Sequence, residues 1–203
     1  MTINPLPMFP LQVVLLPEEF LPLHIFEERY KEMTGKCRER DLPFGIVLAE
    51  RKGFRTTGCS ARVIEVMEEF PDGRMNILIQ GEDRFRILRV HEEYSYLTAE
   101  VEYFDDIAEE KPPAGLTEKV LSAVLENQKD ARPIEDEIRE DPKRLSFFAG
   151  AVLRLPPRDK QLLLESDSAK ERMISLLRMF EEKKQREHLT EARMKNALRN
   201  GHP

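Results

Sequence analysis

The chain has 203 residues, of which 40% are hydrophobic and 34% are charged, and its formal net charge is −6 at pH 7. This length suits one large domain or two small ones, and an apolar fraction of this size with charges of both signs excludes global disorder. The negative balance argues against a nucleic-acid-binding protein, because such a protein usually needs a basic face.

Cysteine usage and the absence of export signals predict a cytoplasmic protein. Cys37 and Cys59 are too few for a disulfide scaffold, so reduced thiols in a cytosol are the simpler interpretation. The N-terminus lacks the basic segment followed by an apolar segment that marks a secretion signal. No run approaches the ~18–20 apolar residues that cross a membrane, so we expect no membrane contact.

The first 25 residues are apolar and rich in proline. Five prolines between residues 5 and 22 exclude a helix here. The segment Leu11–Leu16 predicts a short strand that Pro17 ends, and Leu21–Ile25 predicts a second extended piece. Two placements remain open for this pair: strands buried in the core, which we favour because apolar residues are usually inside, or an exposed strip that binds a partner.

The next two segments predict a helix and a buried strand. From Phe26 to Arg40 the apolar period becomes helical, with one stripe that consists of Phe26, Tyr30, Met33 and Cys37. Asp41-Leu42-Pro43 breaks this helix, and the apolar run Phe44–Ala49 predicts a central strand.

The segment from Gly58 to Val90 predicts a β-meander. Pro71-Asp72-Gly73-Arg74 is a turn, because Pro fixes φ, Asp can accept a local hydrogen bond and Gly adopts a positive φ at little cost. Gly81 interrupts the second strand and predicts a bend or bulge. A further strand over residues 96–104 brings the count to about six, which suggests a small barrel or a curled sheet.

The chain becomes helical after an acidic, proline-containing linker at residues 105–114. Helices are predicted from Leu116 to Gln128, Lys143 to Leu155 and Arg158 to Glu165, with a loop over residues 132–142 between the first two. Ser168 and Glu171 match a capping box that opens a last helix. Beyond Glu181 its apolar stripe thins; a solvated helical extension is the favoured interpretation, with a coiled-coil arm or a frayed end as alternatives.

These elements predict an α+β fold with two subdomains, residues 1–110 and residues 111–203. The chain contains no motif for a catalytic nucleophile, a nucleotide-binding loop or a metal site, so no catalytic residue, metal or cofactor is predicted. Arg84, Arg86 and Arg89 put positive charge on one strand, and pairing with nearby carboxylates is favoured over binding of an anion or nucleic acid.

Several segments resemble the Lon N-terminal domain, the substrate-recognition part of the ATP-dependent Lon proteases. The family typically opens with a Leu-Pro…Pro-Leu strand followed by Leu-Pro-Leu-x-Ile-Phe-Glu-x-Arg-Tyr, which corresponds here to Leu21–Tyr30. The Glu18-Glu19 pair stands in a turn where the family often has Pro-Gly. The resemblance covers roughly residues 5–180, and its other segments are Phe44–Val47, Gly58, Asp72-Gly73, Gly81–Ile87, Lys160–Glu165 and Ala169–Leu177.

The resemblance implies a PUA-like β pseudobarrel followed by a C-terminal helical bundle. It also implies a non-catalytic module that recognises unfolded or partly folded polypeptides or a protein partner. Full Lon proteases continue into ATPase and Ser-Lys peptidase domains, and the motifs of neither are found in this sequence. The resemblance therefore implies a stand-alone Lon-domain protein without protease activity. We expect the polypeptide contacts at residues of the N-terminal segment that escape burial, namely Leu16, Pro17, Phe20 and Leu21.

Two other functions remain open at this point. RNA binding follows from analogy with other PUA-like folds, and the acidic charge balance makes it the weaker hypothesis. A hydrolase with an unrecognised site is the third.

Overall fold

The computed structural model describes residues 5–107, 112–127 and 134–200 as a six-stranded mixed sheet with one early helix, followed by five further helices. This agrees with the predicted order of strands and then helices. The strands are β1 (Leu6–Leu11), β2 (Phe20–Ile25), β3 (Phe44–Ala49), β4 (Phe54–Glu69), β5 (Met75–His91) and β6 (Thr98–Tyr103). The helices are α1 (Glu28–Glu39), α2 (Ala114–Asn127), α3 (Asp136–Glu140), α4 (Pro142–Val152), α5 (Pro157–Glu165) and α6 (Ala169–Asn200).

The sheet closes on itself through β5. The strand order is β2-β5-β4-β3-β1-β6, and β5 also pairs with β6. Strands β1, β3, β4, β5 and β6 therefore form a ring, in which only the β1–β3 pair is parallel. The first half of β5 pairs instead with β2, so β2 lies outside this ring.

The β4–β5 hairpin turns at the predicted residues. Gly73 has φ 79°, Asp72 Oδ1 accepts a hydrogen bond from the Arg74 amide at 3.2 Å, and the Phe70 amide donates to the Arg74 carbonyl at 2.8 Å. The predicted bend or bulge at Gly81 is confirmed as a bulge. The β4–β5 register shifts between the pairs Cys59–Arg84 and Ala61–Gly81, so β5 has an extra residue just after Gly81 although the strand continues for 17 residues. Gly81 is needed for another reason: a Cβ there would lie 3.0 Å from the Leu16 carbonyl carbon and closer still to its oxygen.

The N-terminal strand lies five residues earlier than predicted. Residues 6–11 form β1, and the predicted strand Leu11–Leu16 is irregular beyond Leu11. Val14, Leu15 and Leu16 are consecutive and all buried. Successive side chains of a strand point to opposite faces, whereas this loop directs three neighbours into the interior.

The helices follow the predicted positions, with one addition. Tyr30, Met33 and Cys37 form the buried stripe of α1, while Phe26 precedes the helix and is exposed. The Glu171 amide donates to Ser168 Oγ at 3.2 Å, which confirms the N-cap of α6. The short helix α3 lies in the predicted loop, and the described backbone of α6 continues to Asn200, as the favoured helical extension requires.

The described residues form three apolar clusters, and two of them meet at the junction of sheet and helices. The larger of these two is formed mainly by the strands and α1, and it also contains Phe147 of α4 and Leu164 of α5; the second lies among α2 and the later helices. The third lies among β1, β3, β5 and β6 and consists of Leu6, Met8, Val47, Phe85 and Ala99. The change from strands to helices falls between Tyr103 and Ala114, where residues 108–111 are outside the described part, and a division at residue 110 stays a prediction. Within the described ranges, no helix is both long and apolar enough to cross a membrane.

Candidate functional site

The four residues predicted to bind polypeptide are not equally accessible. Leu16 is wholly buried (0% exposed), so the expectation that it escapes burial is wrong. Its side chain lies in the space left by Gly150 of α4, where a Cβ would come within 2.8 Å of Leu16 Cδ1. Pro17 and Leu21 are half-buried, and Leu21 packs against the larger core, which is formed mainly by the strands and α1. Phe20 is 53% exposed and is the one large exposed side chain among the four.

The turn that follows Leu16 connects the sheet to the helices. The Leu16 amide donates to Glu19 Oε2 at 3.0 Å, and Glu19 pairs with Lys160 of α5. Glu18 pairs with Arg144 of α4 at 2.8 Å. Glu18 also has φ 62°, a left-handed conformation that Gly adopts most readily. This turn is thus a structural connector, and Phe20 at its continuation into β2 is the exposed apolar side chain.

The outer surface of β2, β5 and β4 carries several exposed apolar side chains near Phe20. Ile77 and Ile79 of β5 point into the larger core. The alternate residues Asn76, Leu78 and Gln80 therefore point outward. The strand register places Phe20, Pro22 and His24 beside Gln80, Leu78 and Asn76. We call this surface the outer face; its β4 members are Ile64, Glu65, Met67 and Glu68.

Two β-bulges bring the β4 residues onto the outer face. The β4–β5 register shifts between Val63 and Glu65 and again between Val66 and Glu68, so Ile64 and Met67 are extra residues at the shifts. They are 51% and 48% exposed. In a regular strand, side chains alternate between the two faces, so Ile64 and Met67 would not both lie on the same face as the neighbouring carboxylates. No feature of the sequence marks the bulges, and the sequence analysis therefore missed these two residues.

A groove of about 520 Å³ runs along the outer face. It is lined by Pro22, Leu23, His24, Met67, Glu68 and Asn76. Its polar side is ordered, because His24 Nδ1 donates to Asn76 Oδ1 at 2.7 Å and Asn76 Nδ2 donates to Glu68 Oε2 at 2.8 Å. The rings of Phe26 and Phe70 lie 5.9 and 6.1 Å from the His24 ring. The groove is therefore lined by apolar side chains and by a row of polar side chains that hydrogen bonds hold in place.

The free edge of β2 is a poor template for another strand. The Gly81 amide donates to the Glu19 carbonyl at 2.9 Å, so Glu19 and the alternate residues after it turn their backbone groups towards β5. Phe20, Pro22 and His24 turn theirs outward, where no described strand pairs with them. Pro22 has no N–H to donate, and proline at an edge is a common protection against strand addition.

The three arginines of β5 do not form a basic patch. Arg84 is 2% exposed and donates to Asp106 Oδ1 at 2.6 Å; burial lowers the pKa of its guanidinium. Arg86 lies over the Phe104 ring at 3.8 Å and opposite Glu102, and Arg89 lies opposite Glu100. Acidic neighbours therefore accompany all three arginines, which favours the pairing that the sequence suggested.

The described residues offer little for catalysis. Burial raises the pKa of the Cys37 thiol to about 11 and also raises the pKa of the Cys59 thiol, so neither is activated as a nucleophile. Among the side chains that the structure describes, no group of three or more His, Cys, Asp or Glu could hold a metal ion. What the outer face can do chemically is contact apolar side chains and accept hydrogen bonds.

Solved structures of Lon N-terminal domains share this fold. A Lon N-terminal domain protein from Xanthomonas campestris superposes with a TM-score of 0.71 at 23% identity, covering 86% of this chain and 98% of that one. The N-terminal domain of the Mycobacterium avium complex Lon protease gives a TM-score of 0.65 at 17% identity, covering 88% of this chain and 98% of that one.

Curated Lon proteases match the same chain in sequence. The Cytophaga hutchinsonii protein is 26% identical in an alignment of length 198 that covers 87% of this chain and 24% of the relative. The Roseiflexus castenholzii protein is 27% identical in an alignment of length 200 that covers 91% of this chain and 25% of the relative. The chain thus spans about a quarter of the length of these relatives.

The family model for the substrate-binding domain of ATP-dependent protease La (LON) matches residues 5–182. This match covers most of the chain and agrees with the structural neighbours and with the resemblance in the sequence. The chain therefore belongs to the family of LON substrate-binding domains.

Proposed function

We propose that this chain is a non-catalytic polypeptide-recognition module and that its outer face binds unfolded or partly folded polypeptide. The observation that carries the proposal is the exposure of Phe20, Ile64 and Met67 on one face, which also holds the groove that Met67 helps to line. Contiguous exposed apolar surface marks interaction sites. The description of the family as a substrate-binding domain supports the same function.

Of the four residues first predicted, Phe20 is retained in this proposal as a direct contact. Pro17 and Leu21 are half-buried and hold β2 in position. Leu16 anchors the turn that precedes β2. The proposed location is the cytoplasm, where the two free, buried thiols of Cys37 and Cys59 would persist.

Binding to a permanently unfolded reporter tests the proposal. We expect a fluorescently labelled, reduced and alkylated protein to bind the wild-type chain saturably in anisotropy titrations. The double variant Phe20→Glu, Met67→Glu puts two charges on the outer face and should weaken binding at least about tenfold, because charged groups resist desolvation against apolar ligand surface. Both side chains are about half exposed, so the variant should keep its fold.

A matched control separates this surface from general hydrophobicity. Leu88 of β5 is 65% exposed but lies in the half of β5 that pairs with β6, away from the outer face. The variant Leu88→Glu should bind like the wild type. Equal loss in both variants, or no saturable binding by the wild type, would contradict the proposal.

RNA binding has no comparable support. Arg84 is buried and engaged with Asp106, and the other two arginines of β5 face glutamates. The described surface near them is therefore not the basic face that RNA binding needs.

A further inference from the structure

We propose that the outer face selects extended segments in which apolar side chains alternate with lysine or arginine. This inference rests on the proposed function and names the class of polypeptide that the same surface takes. It is carried by the charges that surround the apolar groove.

The two carboxylates of the outer face lack cationic partners. Glu68 accepts a hydrogen bond from the neutral amide of Asn76, and no ion pair joins Glu65 or Glu68 to a cation among the described residues. Both lie beside the exposed side chains of Ile64 and Met67, with which they share the two bulges.

The cations near this surface are already paired. Arg62 lies 2.7 Å from Glu82 and 3.0 Å from Asp41. Arg74 lies 2.7 Å from Asp72. The outer face is thus apolar with an uncompensated negative charge, and the complementary ligand is apolar and positive.

The spacing of these groups suits an extended ligand. Glu65 lies opposite Leu78 and Glu68 opposite Asn76, which are two residues apart on β5 and therefore about 7 Å apart along the strand. An extended ligand that runs along β5 with its side chains directed sideways would place every second side chain towards the carboxylates of β4, at the same interval, and the others towards the apolar side chains of β2. From the row of Phe20 and Gln80 to that of Asn76 the face is about 13 Å long, which a segment of four or five extended residues would cover.

Side chains rather than backbone must supply the selectivity. Pro22 removes the central donor from the outward edge of β2, so strand addition contributes little there. On β5, the central strand of the face, the backbone groups are already used by the pairing with β2 and β4. The apolar contacts and the two carboxylates then decide which sequences bind.

Three labelled nine-residue peptides with the same apolar residues test the inference. They carry lysine, serine or glutamate at the alternate positions. Two exposed ion pairs should make the wild-type chain bind the lysine peptide roughly 3- to 10-fold more tightly than the serine peptide in anisotropy titrations. The glutamate peptide should bind most weakly, and added salt should reduce the difference.

Two variants and one control assign the preference to the carboxylates. Glu65→Gln with Glu68→Gln should bind the three peptides almost equally, since Gln keeps the acceptor for Asn76 but removes the charge. Glu65→Lys with Glu68→Lys should favour the glutamate peptide. The control Glu92→Lys with Glu93→Lys makes the same change in net charge in the exposed segment after β5 and should keep the wild-type order.

The outcomes separate this inference from the proposed function. A wild-type chain that binds the three peptides equally, or a lysine preference that persists in the Gln variant, would overturn the inference while leaving polypeptide binding intact. Failure of every peptide and of the unfolded reporter would overturn both. Sedimentation velocity tests whether a second copy of this chain occupies the face instead of a polypeptide. If the wild type is a dimer and the Phe20→Glu, Met67→Glu variant is a monomer, a second copy fills the face and the inference is overturned.

Discussion

Replacing Asp106 with asparagine should be among the most damaging conservative changes in this protein. The Asp106 carboxylate lies at the junction of sheet and helices, where it accepts hydrogen bonds from Arg84 at 2.6 Å and from Arg172 at 2.7 and 2.5 Å. Both arginine side chains are almost wholly buried. They share this single carboxylate, and both guanidinium groups lie near the Phe147 ring, at 5.2 and 4.2 Å from its centroid.

The expected loss of stability can be worked out from the groups that the substitution leaves without a charged partner. The amide introduced by Asp106→Asn would keep one oxygen acceptor but no charge, so two buried guanidinium groups would repel each other without a buried counter-ion. Removing one partner of a buried ion pair costs about 3–5 kcal/mol. We take about 3 kcal/mol because the carbonyls of Leu164 and Ser166 still accept hydrogen bonds from Arg84. With a urea slope of about 2 kcal/mol per molar, the midpoint should fall by about 1.5 M.

Urea titration followed by circular dichroism measures this loss, and Asp105→Asn is the control. Asp105 lies 3.8 Å from Arg84 but is largely exposed, and its hydrogen bond with Lys143 holds the pKa of its carboxyl below the usual value. An exposed pair contributes at most about 1 kcal/mol. A loss below about 1 kcal/mol for Asp106→Asn, or equal losses for the two variants, would refute the argument that burial gives this carboxylate its importance.

Two further predictions concern glycine and cysteine. Gly81→Ala should destabilise the protein by about 1–3 kcal/mol in the same titration, because its Cβ would overlap the Leu16 carbonyl group; Gly35→Ala in α1, which meets nothing within 4 Å, should instead stabilise it by up to about 1 kcal/mol. If the free energy of unfolding changes in the same direction in both variants, the argument from the close approach at Gly81 is refuted. Cys37 and Cys59 should resist iodoacetamide at pH 8 in the native protein and react in urea, because burial raises both thiol pKa values; mass spectrometry that finds rapid native labelling of either would contradict this.

Elements set by local sequence were predictable. The strand Phe44–Ala49 has the predicted bounds, since a continuous apolar run with a proline before it and a polar loop after it specifies a buried strand. The buried stripe of α1 and the turn at Asp72-Gly73 follow from spacing and turn chemistry alone. The PUA-like label, by contrast, stays a prediction from the resemblance.

The candidate site depended on contacts that are distant in sequence. Leu16 is apolar next to a proline turn, as an exposed contact could be, and its burial depends on Gly81 and Gly150, which are 65 or more residues away. Gly81 predicted a bend or bulge, and the register shift beside it agrees. Its close approach to the Leu16 carbonyl could not be predicted, because that contact joins residues far apart in sequence. The bulges at Ile64 and Met67 likewise depend on the register with β5.

The unbroken course of β5 has a consequence for how the outer face responds to a ligand. One strand carries the central row of the outer face in its first half and closes the barrel with β6 in its second half. Between the halves, Gly81 is held by two hydrogen bonds to the turn at Glu18 and Glu19, which is itself tied to α4 and α5. The face is therefore preorganised, so most of the ordering entropy on binding falls on the polypeptide. Ligands held extended by cyclisation or by proline should gain affinity over flexible peptides of the same composition.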